Sequence, residues 1–295
     1  MRPLPPRLAL SAPGGRLYPA GLALAALLAG APAVAAPLRV SSLNLCADEL
    51  VLRLLPPEQV ASITFLGADP RLSTVAGRAA GIATNHGRAE EILRDRPDLV
   101  VTGRYTTRIT SAFLKRLGLP VAEVGAPADM DAVRAEIRDL AAALGVPDQG
   151  AALVAETDAA LAAIPPAPAG PRPKAIVLNP NGATVGRGSL VDAMMTRAGL
   201  DNLAADMGME SYGRLPLETV LLAGADILIL DAERDGPPAL ATELLKHPAL
   251  QALGDRVTIV SVPGRLWTCG GPQLADAVTL LAAAREEALS RRGAP

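Results

Sequence analysis

One glycine-rich segment has the composition of a phosphate-binding loop: residues 181–188, Asn-Gly-Ala-Thr-Val-Gly-Arg-Gly. Between a strand and a helix, such a loop presents backbone N–H groups to a phosphate. The segment begins too near the C-terminus for a full dinucleotide-binding fold to follow it. Enzymes that hold nicotinamide on such a loop place a lysine four residues after a tyrosine, whereas Pro216 stands four residues after Tyr212. A nicotinamide cofactor is therefore not predicted.

The two histidines, His86 and His247, limit the other chemistry that the chain can perform. A nucleophilic triad needs a histidine base, and the sequence has no Gly-x-Ser-x-Gly elbow to hold a nucleophile. Two distant histidines also fall short of the three-histidine site that holds a bare zinc ion. His247 is interpreted as a helix-end residue, and His86 is either a solvated loop residue or an axial ligand to a metal that a chelate already holds. Neither catalytic residues nor a resident metal or cofactor is predicted.

Aromatic rings and arginines share the loops near the ends of predicted strands. The chain of 295 residues has one Trp, three Tyr and two Phe, so the position of each ring is informative. Phe113 lies within a helical pattern and is expected in the core. Arginine beside aromatic rings suits an anionic or amide-bearing, partly flat ligand, although simple solvation is an equal alternative. The candidates are Tyr105, Tyr212, Trp267, Arg104, Arg187, Arg214 and Arg265.

The elements that must position these residues alternate between short β-branched runs and helical patterns. This alternation predicts βα units and mostly parallel sheets, in which loops beyond the carboxyl ends of the strands form the ligand crevice. The loop 84–87 leads into a helix over 89–96, and Tyr212 lies in the loop that enters the helix with Glu218. Strands are expected at 38–43, 60–66, 98–103, 120–125, 174–179, 226–231 and 256–262.

Two similar halves follow each other along the chain. Glu90 stands eight residues before Asp98, and Glu218 stands eight residues before Asp226, each pair joining a short helix to a buried strand. A helix from Pro147 to Ile164, about 27 Å long at 1.5 Å per residue, separates the halves and ends at a proline-rich segment. The predicted fold is α/β, with two βα lobes of mostly parallel sheets joined by one long helix. The boundaries are 36–146 for the N-terminal lobe, 147–164 for the inter-lobe helix and 165–295 for the C-terminal lobe.

Residues 1–35 have the pattern of a cleavable signal peptide. Basic residues precede the apolar run 21–30, and Ala33-Val34-Ala35 fits a small-residue cleavage site; an uncleaved N-terminal anchor is the alternative. The charge balance of 30 acidic against 28 basic residues, −2 in total, argues against a nucleic-acid surface. A soluble protein of the bacterial periplasm is expected.

The two cysteines, Cys46 and Cys269, are candidates for a disulfide in such a compartment. Neither belongs to a Cys-x-x-Cys or Cys/His cluster, so a zinc site is not expected. Because connectivity cannot be deduced from sequence, bridged and free thiols both remain open.

Several short motifs in order resemble a known family over residues 38–290. They are Ser-Leu-Asn-Leu-Cys-Ala-Asp at 42–48, Ala-Glu-Glu-Ile-Leu at 89–93, Gly-Arg-Gly-Ser-Leu at 186–190 and Trp-Thr-Cys-Gly-Gly-Pro at 267–272. The sequence is similar to the periplasmic substrate-binding proteins of ABC importers for cobalamin, ferric siderophores and heme. The resemblance implies a rigid bilobal monomer that holds one small-molecule metal chelate between its lobes and performs no chemistry. It also implies that Glu90 and Glu218, one on each lobe, dock to arginine pockets on the permease dimer, which works in the inner membrane with its ATPase.

The residues before the first helix decide which chelate is expected. Heme binders of this family usually carry a tyrosine in the loop where this chain has Thr84, Asn85 and His86. A corrinoid or a ferric siderophore is therefore favoured, with a heme binder of the same family and a chelatase-like enzyme on the same architecture as alternatives. The predicted ligand-binding residues are Asn85, His86, Arg104, Tyr105, Arg187, Tyr212, Arg214, Arg265 and Trp267.

Overall fold

Two parallel sheets form the framework of the protein, whose computed structural model describes residues 38–230, 247–253 and 256–293. The predicted signal peptide, residues 1–35, lies outside these ranges, as does residue 231 at the end of a predicted strand. Within the described residues, no helix combines the length and the apolar composition needed to cross a membrane.

The N-terminal lobe is built on a five-stranded parallel sheet with the order β3-β2-β1-β4-β5. All five residues of its fourth strand, Leu-Val-Val-Thr-Gly, are buried, as expected where helices cover both faces of a parallel sheet. The strands are β1 (Val40–Ser42), β2 (Val60–Thr64), β3 (Ala83–Asn85), β4 (Leu99–Gly103) and β5 (Val121–Val124).

Helices cover this sheet on both faces. On one face Leu43, Ile92, Val100 and Leu114 form a small core, and the other face contributes to the main core of the molecule. The helices of this lobe are α1 (Leu45–Leu54), α2 (Ala89–Asp95), α3 (Arg108–Arg116) and α4 (Met130–Ala143).

The helix α5 (Pro147–Ala162) joins the two lobes and packs closely against α4. The two helices approach most tightly at Gly150, where a Cβ atom would lie 2.3 Å from the Cβ of Ala141. Glycine at this position therefore sets the separation of the two helices.

The C-terminal lobe contains a four-stranded parallel sheet and a small antiparallel pair of strands. The sheet has the order β11-β10-β6-β8, and β7 pairs with β9. Its strands are β6 (Lys174–Leu178), β7 (Ala183–Val185), β8 (Asp201–Asn202), β9 (Tyr212–Arg214), β10 (Ile227–Leu230) and β11 (Thr258–Ser261). Its described helices are α6 (Leu190–Arg197), α7 (Leu203–Asp206), α8 (Leu217–Leu222), α9 (Pro248–Gln251) and α10 (Leu274–Gly293).

One apolar core runs through both lobes. The buried residues Val40 and Ile63 of the first sheet belong to the same cluster as Val177 and Ile227 of the second. Helix α10 contacts α5 as well as β11 and α6, which carries this core from one lobe into the other. The α/β architecture of two lobes with mostly parallel sheets joined by a helix is confirmed.

The structure corrects several local expectations. Thr84 and Asn85 belong to β3 rather than to a loop, and Tyr212 and Arg214 belong to β9, which pairs with β7 inside the glycine-rich segment. Part of the glycine-rich segment is therefore one strand of a two-stranded antiparallel sheet, and β9 is the other. Phe113 is 44% exposed because α3 buries its opposite side, with Ser111 and Leu114, against the sheet.

Candidate ligand-binding cleft

A cavity of about 530 Å³ is lined by residues of both lobes. On the N-terminal side its walls follow the carboxyl ends of β1, β4 and β5, the edge at which parallel sheets bind ligands. Its volume falls in the range of small-molecule sites, roughly 300–1,000 Å³. The lining residues are Asn44, Gly103, Arg104, Tyr105, Thr106, Gly125, Ala126 and Pro127 from the first lobe and Gly188, Ser189, Ser211 and Tyr212 from the second.

Asn44 holds the N-terminal wall in place. As the N-cap of α1, its side-chain oxygen accepts hydrogen bonds from the N–H groups of Cys46 at 2.9 Å and Ala47 at 3.2 Å. Its amide nitrogen donates to the hydroxyl of Thr106 at 3.0 Å. One asparagine therefore fixes both the start of a helix and the turn that carries Tyr105.

Arg104 supplies the positive charge of the cleft. Its backbone N–H donates to Val124 at 2.8 Å, so that the residue extends the pairing between β4 and β5, while its side chain is exposed. Arg104 also lines a second cavity of about 520 Å³ beside α4. There Glu136 accepts a hydrogen bond from the Gly125 N–H, and burial raises the pKa of that carboxyl, an effect which this hydrogen bond and the charge of Arg104 partly oppose.

Two tyrosines present their rings in the cleft, one from each lobe. Tyr105 is 70% exposed and Tyr212 is 64% exposed. Partial burial raises the pKa of Tyr212 above its ordinary value of 10, so its phenol is protonated at neutral pH. The cleft therefore offers two flat aromatic faces with their phenol groups, and one guanidinium.

Asn85 and His86 lie outside the cavity lining and serve local contacts. Asn85 is 1% exposed, and its amide donates to the Ser42 carbonyl at 2.9 Å, joining the carboxyl ends of two strands. The His86 Nδ1 lies 3.2 Å from a carboxylate oxygen of Glu91, and its ring stacks on Phe65 with centroids 5.2 Å apart.

The remaining predicted ligand residues lie near the cleft or within the core. Arg187 and Arg214 are exposed and flank lining residues of the second lobe, and Arg265 is half-buried in a short helical turn. Trp267 is 4% exposed and belongs to the main core. The expectation that its ring faces the ligand is not met, because packing between the lobes encloses it.

The sequence predicted three of the twelve lining residues, Arg104, Tyr105 and Tyr212, and missed the other nine. Among those missed, Asn44, Thr106, Ser189 and Ser211 are small polar residues, and residues 125–127 are Gly, Ala and Pro. The available signal was position, since Asn44 directly follows the predicted strand 38–43, and residues 126–127 directly follow the predicted strand 120–125. Among the residues that the structure describes, no group of three or more His, Cys, Asp or Glu side chains forms a metal site.

Glu90 and Glu218 occupy equivalent positions on the two lobes. Each is the second residue of its helix, α2 or α8, and each is exposed. The neighbouring Glu91 is instead turned back to accept the His86 N–H at 2.7 Å. The first turn of each helix thus presents one outward carboxylate.

Comparison with known proteins agrees with this geometry. The model of the periplasmic binding protein family matches residues 42–254, whereas no curated protein sequence matches the chain at a significant level. The periplasmic heme-binding protein RhuT from Roseiflexus sp. RS-1, in apo form, is 26% identical with a TM-score of 0.69, over 86% of this chain and 99% of that one.

Two proteins of Vibrio cholerae share the fold. The periplasmic heme-binding protein HutB is 19% identical with a TM-score of 0.66, over 84% of this chain and 98% of that one. The periplasmic vitamin B12-binding protein BtuF is 17% identical with a TM-score of 0.64, over 86% of this chain and 98% of that one. With its sequence match, its two lobes and the cavity between them, the chain belongs to the periplasmic binding protein family, as a substrate-binding component of an ABC importer.

Proposed function

We propose that the protein captures a metal chelate in the inter-lobe cleft and delivers it to an ABC permease. The observation that carries this proposal is the cavity of about 530 Å³ to which one lobe contributes Tyr105 and Arg104 and the other contributes Tyr212. Two ring faces suit a large flat or amide-rich ligand, and a guanidinium suits its anionic or carbonyl oxygens. The heme and vitamin B12 binding named for the similar structures supports a ligand of this class.

The lining groups favour retention of the ligand over its chemical conversion. The cavity presents hydroxyl, amide and guanidinium groups, which bind by donating and accepting hydrogen bonds at neutral pH. Proton transfer would require a group that titrates near the working pH. Binding without turnover is therefore proposed in preference to a chelatase-like reaction, and cobalamin or a ferric siderophore is the proposed cargo.

Heme is the second candidate cargo, favoured by one observation in the cleft. Tyr105 and Tyr212 both expose phenol oxygens there, and tyrosine is an established axial ligand of heme iron. Arg104 beside them could pair with a propionate. Tyr105, which follows β4, would then take the role of the tyrosine that heme binders of this family usually carry in the loop before the first glutamate. This chain has no tyrosine in the corresponding loop before Glu90.

Titration followed by absorption spectroscopy tests the proposal. Purified protein is mixed in turn with cyanocobalamin, ferrichrome and hemin, and binding is measured together with the recovery of unchanged ligand. One-to-one binding of one chelate, recovered intact, is expected. Failure to bind any of the three, or conversion of the ligand, would contradict the proposal.

Conservative tyrosine variants separate the two cargo classes. If a phenolate ligates heme iron, Tyr105→Phe or Tyr212→Phe loses the hemin spectrum although the ring remains. If the rings only pack against a corrinoid or siderophore, the phenylalanine variants bind like the wild type and Tyr105→Ala weakens binding. The wild-type protein, carried through the same titrations with each chelate, is the reference for all three variants.

Export and docking complete the proposal. Residues 1–35 are proposed to direct the chain to the periplasm and to be removed there, which leaves Ala36 as the first residue. N-terminal sequencing of the protein from a periplasmic extract checks this. Glu90 and Glu218 are proposed to bind the permease dimer, which couples to its ATPase.

A further inference from the structure

The segment Trp267–Gln273 belongs to the C-terminal lobe but contacts the N-terminal lobe at two successive points. Cys269 is joined to Cys46 of α1 by a disulfide, with Cα atoms 5.1 Å apart. The next residue, Gly270, packs so closely on α4 that a Cβ atom there would lie 2.8 Å from Cγ1 of Val133. We call residues 267–273 the latch segment.

A third contact joins Gln273, the last residue of the latch segment, to a polar network of the N-terminal lobe. Arg53 of α1 donates from Nη2 to Oε1 of Gln273 at 3.2 Å, while the Gln273 amide donates to the Cys269 carbonyl at 2.9 Å. Arg53 is also 3.5 Å from the carboxylate of Glu49, which is 1% exposed and accepts from the Ser73 hydroxyl at 2.7 Å. The latch segment therefore contacts α1 at both its first and its last turn.

These contacts change how the lobes can move. Along the described chain the backbone passes from the first sheet to the second through α4, α5 and residues 163–173. The disulfide spans 223 positions and adds a second covalent connection between the lobes. The lobes are therefore connected at two places, through α5 and through the disulfide. An opening motion that would move the Cys46 and Cys269 backbones apart is blocked.

We propose that the latch segment is a redox-dependent inter-lobe lock, and that the cleft reaches its binding geometry only after the disulfide between Cys46 and Cys269 has formed. Formation removes two electrons and two protons from the two thiols. A disulfide-carrying protein of the oxidising compartment accepts them by thiol–disulfide exchange and becomes a dithiol. In a reducing compartment the lobes would keep their sheets but lose this fixed separation.

Hydrogen exchange on the protein without ligand tests the lock directly. The folded wild type is compared before and after treatment with a phosphine reductant, and alkylation with mass measurement confirms the state of both thiols. Faster exchange is expected after reduction in α1, in the latch segment and at the contact of α5 with α10, but not in β4 or β10. Identical exchange in these inter-lobe elements would overturn the proposal.

A second arm measures binding and rests on the proposed function. Cyanocobalamin, ferrichrome and hemin are titrated into oxidised protein, reduced protein and reoxidised protein. A loss of affinity of about tenfold on reduction, restored by reoxidation, is expected for the chelate that binds. Equal affinity in the oxidised and reduced states would refute the binding half of the proposal. If no chelate binds in any state, the proposed function fails, while the exchange experiment still decides on the lock.

Two variants distinguish the loss of the inter-lobe lock from a general loss of folding. Cys46→Ser with Cys269→Ser should reproduce the exchange pattern of the reduced wild type and should no longer respond to the reductant. Gln273→Ala keeps the disulfide and removes the two hydrogen bonds of the Gln273 side chain, with Arg53 and with the Cys269 carbonyl, so its exchange should rise in α1 and in the latch segment without any change in β10. A reductant response that persists in the double serine variant would show that the effect comes from elsewhere.

Discussion

Asp48 is fully buried between α1 and the end of β2. Its carboxyl group accepts hydrogen bonds from the backbone N–H and from the hydroxyl of Thr64. Desolvation nevertheless dominates and raises the pKa of Asp48 from 3.8 to about 7, against the opposing effect of the hydrogen bonds from Ser42 and Thr64. The Asp48 side chain does not line the cavity. Its titration is therefore expected to change the stability of the fold rather than ligand binding.

Replacing Asp48 with asparagine should remove one part of the pH dependence of folding. Because the folded pKa is raised, the native state binds this proton more tightly than the unfolded state. The resulting stabilisation is complete below about pH 4 and is lost as the pH rises through about 7, on the order of 4 kcal/mol in all. Urea unfolding between pH 4 and 8 should show the wild type losing stability relative to Asp48→Asn.

The asparagine variant is a close steric match for this comparison. Its amide oxygen can accept from the Thr64 N–H and its NH2 group can donate to the Thr64 hydroxyl. Other titrating groups are common to both proteins and cancel in the difference. Parallel stability profiles for the two proteins would show that Asp48 does not carry this proton.

Arg104 should contribute to ligand affinity far more than Arg116 of α3. Both are exposed, but only Arg104 lines the cavity. A hydrogen bond to a charged group contributes about 1.5–3 kcal/mol, so Arg104→Gln should weaken binding about tenfold to a hundredfold. Arg116→Gln is the matched control and should bind like the wild type in the same titration. Equal losses in both variants would indicate general electrostatic attraction rather than a contact.

At the level of single residues, the sequence predicted which side chains lie in the loops that directly follow the strands. Arg104 and Tyr105 follow β4 directly, and they meet Tyr212 in one cavity as that placement implies. Trp267 and Asn85 were assigned to the ligand although packing encloses both, since burial depends on elements that are distant in sequence. Polar residues such as Ser189 were not predicted, because serine is common in loops and no local sequence pattern distinguishes a serine that lines a cavity.

The contact between α4 and α5 should reverse the usual effect of replacing a helical glycine. In an open helix, alanine is more favourable than glycine by about 1 kcal/mol. At Gly150 the added Cβ would lie 2.3 Å from that of Ala141, and overpacking of this kind costs about 1–3 kcal/mol. Gly150→Ala should therefore lower the unfolding free energy, measured by urea denaturation.

A double variant identifies the clash as the cause. Ala141→Gly removes the opposing methyl group, so Gly150→Ala should be less harmful in that background than in the wild type. The exposed Ala151 supplies the reference for helix propensity, because Ala151→Gly should cost only the ordinary amount. An additive double-variant cycle would refute the steric explanation.

Elements that lie within longer apolar or periodic runs were predictable, including the three-residue β1 within 38–43, and other short strands were not. The buried β4 and the capped helix α4 show continuous or periodic apolar patterns that single sequences reveal. By contrast, β3, β7 and β9 have three residues each, too few for a pattern. Their pairing depends on tertiary neighbours, as when β9 meets a segment that precedes α6.

Each lobe presents an exposed carboxylate at the second residue of a helix, Glu90 in α2 and Glu218 in α8. A dimeric permease with two-fold symmetry can bind both if it offers one cationic pocket per subunit. Reversing both charges, Glu90→Arg with Glu218→Arg, should abolish uptake of the chelate in cells. Ligand affinity of the purified variant should be unchanged, because neither residue lines the cavity.

Reversal of two other exposed carboxylates controls for overall charge. Glu58 and Asp148 are also exposed but lie in other elements, so Glu58→Arg with Asp148→Arg should support normal uptake. Single reversals at Glu90 or Glu218 should give intermediate uptake if the two lobes dock together. Normal transport by the double variant at Glu90 and Glu218 would remove their docking role.

The disulfide also gives the molecule the topology of a ring. The backbone from Cys46 to Cys269 closes on itself through the sulfur bridge, and the ring contains β2 to β11 together with the exposed proline-rich link at 165–171. A ring that is cut once opens without coming apart. A protease that cleaves the link would therefore leave one particle of unchanged mass, apart from one added water, which separates into two chains only when the bridge is reduced. A single break in this exposed link would thus leave the two lobes covalently joined.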